Sequence, residues 1–150
     1  MAIYQQLQIH DVTRPPLFRI TSFSIIRIGK LTMHHKTLTT RKDTQFVLVH
    51  FTGEDYSTYE DIKQSHLAEG EPEIGFHFII TAEGTTLMGR HVSKTGFHHP
   101  ELNETSVGVC VIGNRDKMSD DLSIALTLLL EKLKSDYPFL ETVKYLYKSH

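Results

Sequence analysis

The sequence has no tryptophan and a single cysteine in 150 residues. One thiol excludes an internal disulfide and any zinc site built from several cysteines. No apolar run approaches the roughly 18 residues of a membrane span. The first twenty residues lack the charged start and apolar stretch of a signal peptide, so no secretory route is expected. Charge of one sign is also missing: 16 Lys and Arg against 18 Asp and Glu leave a formal net charge of −2. A general polyanion binder would carry a large cationic excess, so nucleic acid is not an expected partner. Proline and glycine are sparse, at 5 and 9 residues, which excludes a collagen-like or low-complexity chain. What remains is ordinary globular composition, 39% hydrophobic and 23% charged, in a length that suits one domain with an appendage. Ten histidines are the compositional oddity and keep histidine-based metal binding open.

The chain divides into two parts. Residues 1–43 read as an N-terminal extension, rich in Thr and Ile and broken by Arg14-Pro15-Pro16. Within it, Leu17 to Ile28 is β-branched and partly alternating, and a hairpin turning at Gly29 is expected. This β-rich arm carries no active-site motif and suits docking on other protein subunits. Residues 44–150 are patterned as a domain. Phe46-Val47-Leu48-Val49-His50 is a short apolar run typical of a strand covered on both faces. Helical spacing follows from Tyr59 to Ala68, with Gly70 as its stop. A second strand is expected over Gly75–Ile80, a turn at Ala82–Thr85 and a short third strand over Thr86–Met88. Val107 to Gly113 reads as a buried strand. The clearest helix runs from an N-cap at Ser119 to about Ser135, with Leu122, Leu126, Leu129 and Leu133 as its buried stripe. Val143 to Lys148 alternates as a last strand. Strands interleaved with helices predict an α/β domain.

A histidine at the end of an apolar strand, such as His50, is either a ligand on rigid backbone or a residue facing water. The surrounding pattern weighs on that choice. Asp61 to Phe78, ending in Gly75-Phe76-His77-Phe78, resembles a stretch of the type 2 N-acetylmuramoyl-alanine amidases, the bacteriophage lysozyme-type amidases and their relatives, the peptidoglycan recognition proteins. The resemblance continues through Ala82-Glu83-Gly84, Gly89-Arg90, Gly96-Phe97-His98, Asn103 and Ser106-Val107-Gly108-Val109, and takes in Phe46 to His50 with Thr52. It covers about Phe46 to His150, in order and with almost no gaps.

That resemblance implies a central mixed β-sheet flanked by helices, with zinc in a groove on one face. It implies hydrolysis of the amide joining N-acetylmuramic acid to L-alanine in peptidoglycan, with two His and a Cys or Asp on the metal. His50 matches the first zinc ligand and His150 the second. His98 matches a histidine lining the substrate groove, and Asn103 falls at the groove-edge loop. Phe76 stands where the family has a Tyr that assists near the attacking water; it keeps the ring and lacks the hydroxyl. The segment that would bring the last ligand and the oxyanion-stabilising residue is not in this sequence. Cys110, inside its strand, reads as a small buried apolar residue rather than a replacement. His66 and His77 read as core histidines packing helix against sheet.

The expectation is therefore an amidase-fold protein that has lost catalysis, with an incomplete zinc site at His50 and His150. It would act as a structural or cell-wall-facing binding subunit, suited to a bacteriophage particle or tail, found in the virion or in the bacterial cytoplasm before release. The alternative is an active zinc-dependent N-acetylmuramoyl-L-alanine amidase, which would require a ligand from a neighbouring chain, the terminal carboxylate, or His98 or His99. Peptidoglycan binding without catalysis is a third reading.

Overall fold

The computed structural model describes residues 36–146. The expected hairpin at Gly29 and the matched position His150 lie outside the described residues. Five strands form one sheet: β1 (Phe46–Phe51), β2 (Phe78–Ile80), β3 (Thr86–Met88), β4 (Ser106–Val111) and β5 (Thr142–Leu146). Among the described residues two α-helices accompany them, α1 (Tyr59–Ala68) between β1 and β2, and α2 (Asp120–Asp136) between β4 and β5. The strand order is β3-β2-β4-β1-β5, parallel throughout except for the β2–β3 hairpin. The domain is α/β, a central mixed sheet flanked by helices, as the sequence predicts.

The order explains where the helices lie. The crossover from β1 to β2 passes over β4 in one direction, and the crossover from β4 to β5 passes over β1 in the other. Right-handed crossovers running in opposite directions place their helices on opposite faces. Side chains of the central strands alternate accordingly. Val47, Val49, Val107, Val109, Val111 and Ile80 pack against Leu122, Leu126, Leu129, Leu130 and Leu133 of α2. Cys110 and Ile79 face the other way, with Ile62 of α1, Ile74, Phe76 and Ile112. All six residues of β4 are buried, so that strand reads as a continuous apolar run.

Local signals fix the helix ends. Thr58 and Asp61 form a reciprocal capping box at the start of α1. Ser119 caps α2 by accepting from the Leu122 N–H at 3.2 Å, and Asp120 and Asp121 occupy its first turn.

One expectation is corrected. The second strand is shorter than Gly75–Ile80 because residues 75–77 spend their carbonyls on loops. Gly75 accepts from Phe97 N–H, Phe76 from Arg90 N–H and His77 from Gly89 N–H, at 2.8–2.9 Å. The compact unit containing these elements begins at Lys36. Residues 41 and 42, assigned from sequence to the extension, are bonded into it by Arg41 N–H to Ser93 O (2.8 Å) and Lys42 N–H to Glu104 O (3.0 Å).

Candidate active site at the carboxyl end of β1

In an open parallel sheet the crevice outside the carboxyl ends of the strands, where the chain reverses its order of addition, is the natural place for a ligand. Here the reversal falls between β4 and β1. His50 is the next-to-last residue of β1, in register with Cys110 of β4 on one side and Leu146 of β5 on the other. Residues directly opposite on neighbouring strands share a face, so these three side chains lie together on the α1 side.

They line a cleft of about 220 Å³ with Phe51, Thr52, Asp55, Tyr56, Ile62, His66 and Phe76. Its walls are tied together by Thr52. The Thr52 hydroxyl accepts from Gly113 N–H (3.0 Å), beyond β4, and donates to the Tyr56 carbonyl (3.2 Å) on the loop leaving β1. His66 reaches across from α1 and accepts the Gly75 N–H on Nδ1 at 2.8 Å, which puts its proton on Nε2. Its ring stacks on Phe76, with centroids 5.5 Å apart.

The ring of Phe76 also meets His50 edge-on at 5.2 Å and lies nearly parallel to His98 at 5.8 Å. His98 meets His50 edge-on at 5.5 Å and His77 at 5.7 Å. The structure thus brings His50, Phe76 and His98 together. His98 lies behind the cleft rather than in its lining, with both ring nitrogens shut off from solvent and without hydrogen-bond partners. The Nε2 of His50 is likewise buried and unpartnered. Burial, and then repulsion from His99, pushes His50 down to about 4, so its imidazole is neutral at physiological pH and offers a lone pair. Burial holds His98 well below the ordinary histidine range. The thiol of Cys110 is pushed up to about 12 by burial, which makes it an inert core group rather than a thiolate ligand.

Glycine makes room for His98. A Cβ on Gly108 would lie 2.3 Å from His98 Cδ2, and one on Gly96 would lie 2.5 Å from the same atom. Because the ring is wedged against Phe76, His50 and His77, it has nowhere to retreat. Gly108→Ala is therefore expected to cost about 1–3 kcal/mol by overpacking, measured as a lower urea midpoint at unchanged slope. An unchanged midpoint would show that the ring is not confined as described. Asn103, expected at the groove edge, holds this loop from within: its Oδ1 accepts the N–H groups of His98 (2.9 Å) and His99 (2.8 Å).

The donor set fits a metal in part. His50 could serve as one ligand, being buried and neutral with an idle Nε2. Among the described residues no three His, Cys, Asp or Glu are grouped to hold an ion. Tyr56 and Asp55 are cleft residues that sequence reasoning missed. They sit in an irregular loop whose spacing gives no signal of where it folds.

The sequence profile of the N-acetylmuramoyl-L-alanine amidases matches residues 40–146. The chain belongs to that amidase family. The amidase-family chain is 32% identical over 110 residues to an endolysin of Enterobacteria phage K11, covering 67% of this chain and 73% of the relative. An endolysin of Klebsiella phage KP32 is 34% identical over 109 residues, 66% of this chain and 72% of the relative. In three dimensions the amidase domain superposes on the N-acetylmuramoyl-L-alanine amidase LysC from Clostridium intestinale. The TM-score is 0.68 and the identity 24%, over 76% of this chain and 79% of that one. It also matches a Tyr-to-Phe mutant of the Drosophila peptidoglycan recognition protein LB in complex with tracheal cytotoxin. That match has a TM-score of 0.62 at 22% identity, over 73% of this chain and 75% of the other.

Proposed function

We propose that this chain is a zinc-dependent peptidoglycan amidase that hydrolyses the bond between N-acetylmuramic acid and L-alanine. The observation that carries the reading is His50: a neutral histidine on rigid strand backbone, in a cleft, with a buried Nε2 that no protein group satisfies. Leaving a buried nitrogen unpaired costs about 1–3 kcal/mol, which a bound ion would relieve. The endolysin relatives support activity over the expected loss of catalysis.

In this reading His50 and His150 hold the metal. Zinc there would acidify a bound water and polarise the substrate carbonyl. The chain's own contributions are mechanical and electrostatic. The loop pinned by Asn103 presents His98 and His99 beside His50, and the apolar ring of Phe76 excludes water from one wall.

The experiment is digestion of purified cell-wall sacculi. Amidase cleavage frees the α-amino group of L-alanine without creating new reducing sugar ends. That product is expected from the full chain with zinc, absent with a chelator, and absent in His50→Ala, which should also fail to retain zinc. Sacculi left uncut by zinc-loaded protein would refute the reading.

Phe76 favours a second reading, a catalytically silent peptidoglycan binder, because the ring at that position has no hydroxyl. Saturable sedimentation with sacculi, without release of amino groups, is its signature.

A further inference from the structure

A tyrosine stands on another wall of the cleft that Phe76 lines. Tyr56 lines the cleft together with His50 and Phe76. Its ring packs against the cluster formed by Ile62, Phe76 and Cys110. Its hydroxyl lies 2.9 Å from Ser65 Oγ, on α1. The loop that carries it is held at both ends: Thr52 bonds the Tyr56 carbonyl and the Gly113 N–H, so the ring is anchored to the exits of β1 and β4. His50 and Tyr56 line the same space of about 220 Å³, so a group bound there is enclosed by both residues.

We propose that Tyr56 is the catalytic hydroxyl of this site, supplying from the β1–α1 loop what Phe76 does not supply from the segment leading into β2. The assignment rests on the amidase reading above. A hydroxyl pair such as Tyr56 and Ser65 shares one proton between the two oxygens and leaves the other free to point elsewhere. With Ser65 donating to Tyr56, the phenolic O–H is free to donate to a group bound in the cleft. There it hydrogen-bonds the water that attacks the amide and fixes its direction of approach. Phe76 is then no lesion, because the cleft already has a phenol. The chemistry is a tyrosine's in either case, so the residue type is retained while its position in the chain changes.

The test uses the zinc-loaded full chain in four forms: wild type, Tyr56→Phe, Phe76→Tyr and the double variant. Amino-group release from sacculi, zinc content and the thermal unfolding midpoint are read for each. Tyr56→Phe keeps the ring packing and removes the oxygen alone. It is expected to lower kcat by about 10²-fold, the lower end of what loss of an acid–base group costs, with KM and zinc content unchanged. In the double variant the hydroxyl returns at position 76, and kcat is expected to recover to within about tenfold of wild type. A merely structural Tyr56 would not be rescued in this way. Three results overturn the assignment: Tyr56→Phe as active as wild type, a loss that Phe76→Tyr does not repair, or a wild type that is inactive while Phe76→Tyr is active. The last of these would still leave the cleft an amidase site. Inactivity of all four forms with zinc bound would instead overturn the amidase reading, and this assignment with it.

Discussion

Replacing Glu71 by glutamine is expected to destabilise the domain by about 3–5 kcal/mol, the range found when one partner of a buried ion pair is removed. Glu71 and Arg90 are buried together, with side chains 2% and 1% exposed and Arg90 Nη2 2.9 Å from Glu71 Oε2. The rest of the guanidinium is tied to backbone, through Thr95 O at 2.9 Å and Glu73 O at 3.1 Å. It therefore cannot swing out to water when its counter-ion is lost. The second carboxylate oxygen of Glu71 holds Lys36. An amide at this position keeps the volume and one acceptor, but presents an N–H to a cation and leaves Arg90 with only the half-exposed Glu73 carboxylate as counter-ion. Glu73 is the internal control. Its side chain is 45% exposed and its contact with Arg90 Nε is 3.4 Å, so Glu73→Gln should cost less than about 1 kcal/mol. Urea unfolding of the two variants side by side separates the cases. Equal small losses would show that the pair is hydrated and does not organise the fold.

That pair illustrates what was and was not legible in the sequence. Gly89-Arg90 is visible as a motif, yet nothing in the spacing says that Arg90 is buried or that its partner lies nineteen residues earlier. The elements with strong periodicity were readable. The leucine stripe and Ser119 cap of α2 and the apolar runs of β1 and β4 carry their structure in local pattern. His50 was legible as a strand-end histidine because β1 is a simple run. The burial of His98 was not, because it depends on two glycines, Gly96 and Gly108, that leave a hole of imidazole size. A pattern predicts which face a residue takes and says nothing of holes formed between segments distant in the chain. Tyr56 escaped notice for the same reason: its place in the cleft is set by a loop pinned through Thr52, not by periodicity. At β2 the extended pattern was real, but the carbonyls of Gly75, Phe76 and His77 bond to loops instead of completing a ladder.

His77 makes the domain acid-sensitive. It is fully buried. Its Nδ1 accepts the Gly108 N–H at 2.9 Å, so the ring proton is on Nε2, which donates to Lys94 O at 2.8 Å. Burial pushes it down to about 4. The bond to Lys94 O opposes that shift, while the positive charges of Arg41 and Arg90, and His91, add to it. The ring of His98 faces it as well. A second proton would have to enter at Nδ1, where it meets the Gly108 N–H as donor against donor. In the unfolded chain the ordinary histidine value of 6.5 applies. Between those two values the unfolded state binds the proton and the folded state does not. The stabilisation is therefore complete above about pH 6.5 and is lost as pH falls towards 4, by up to about 3 kcal/mol. His66 is lowered in the same direction, so the whole slope is not due to His77 alone. His77→Gln isolates its share. Measured by urea unfolding with chelator present, the variant should start less stable at neutral pH and lose less between about pH 7 and pH 4. If its stability falls with pH as steeply as that of wild type, then His77 does not carry the linkage and the Gly108 N–H does not hold its ring neutral.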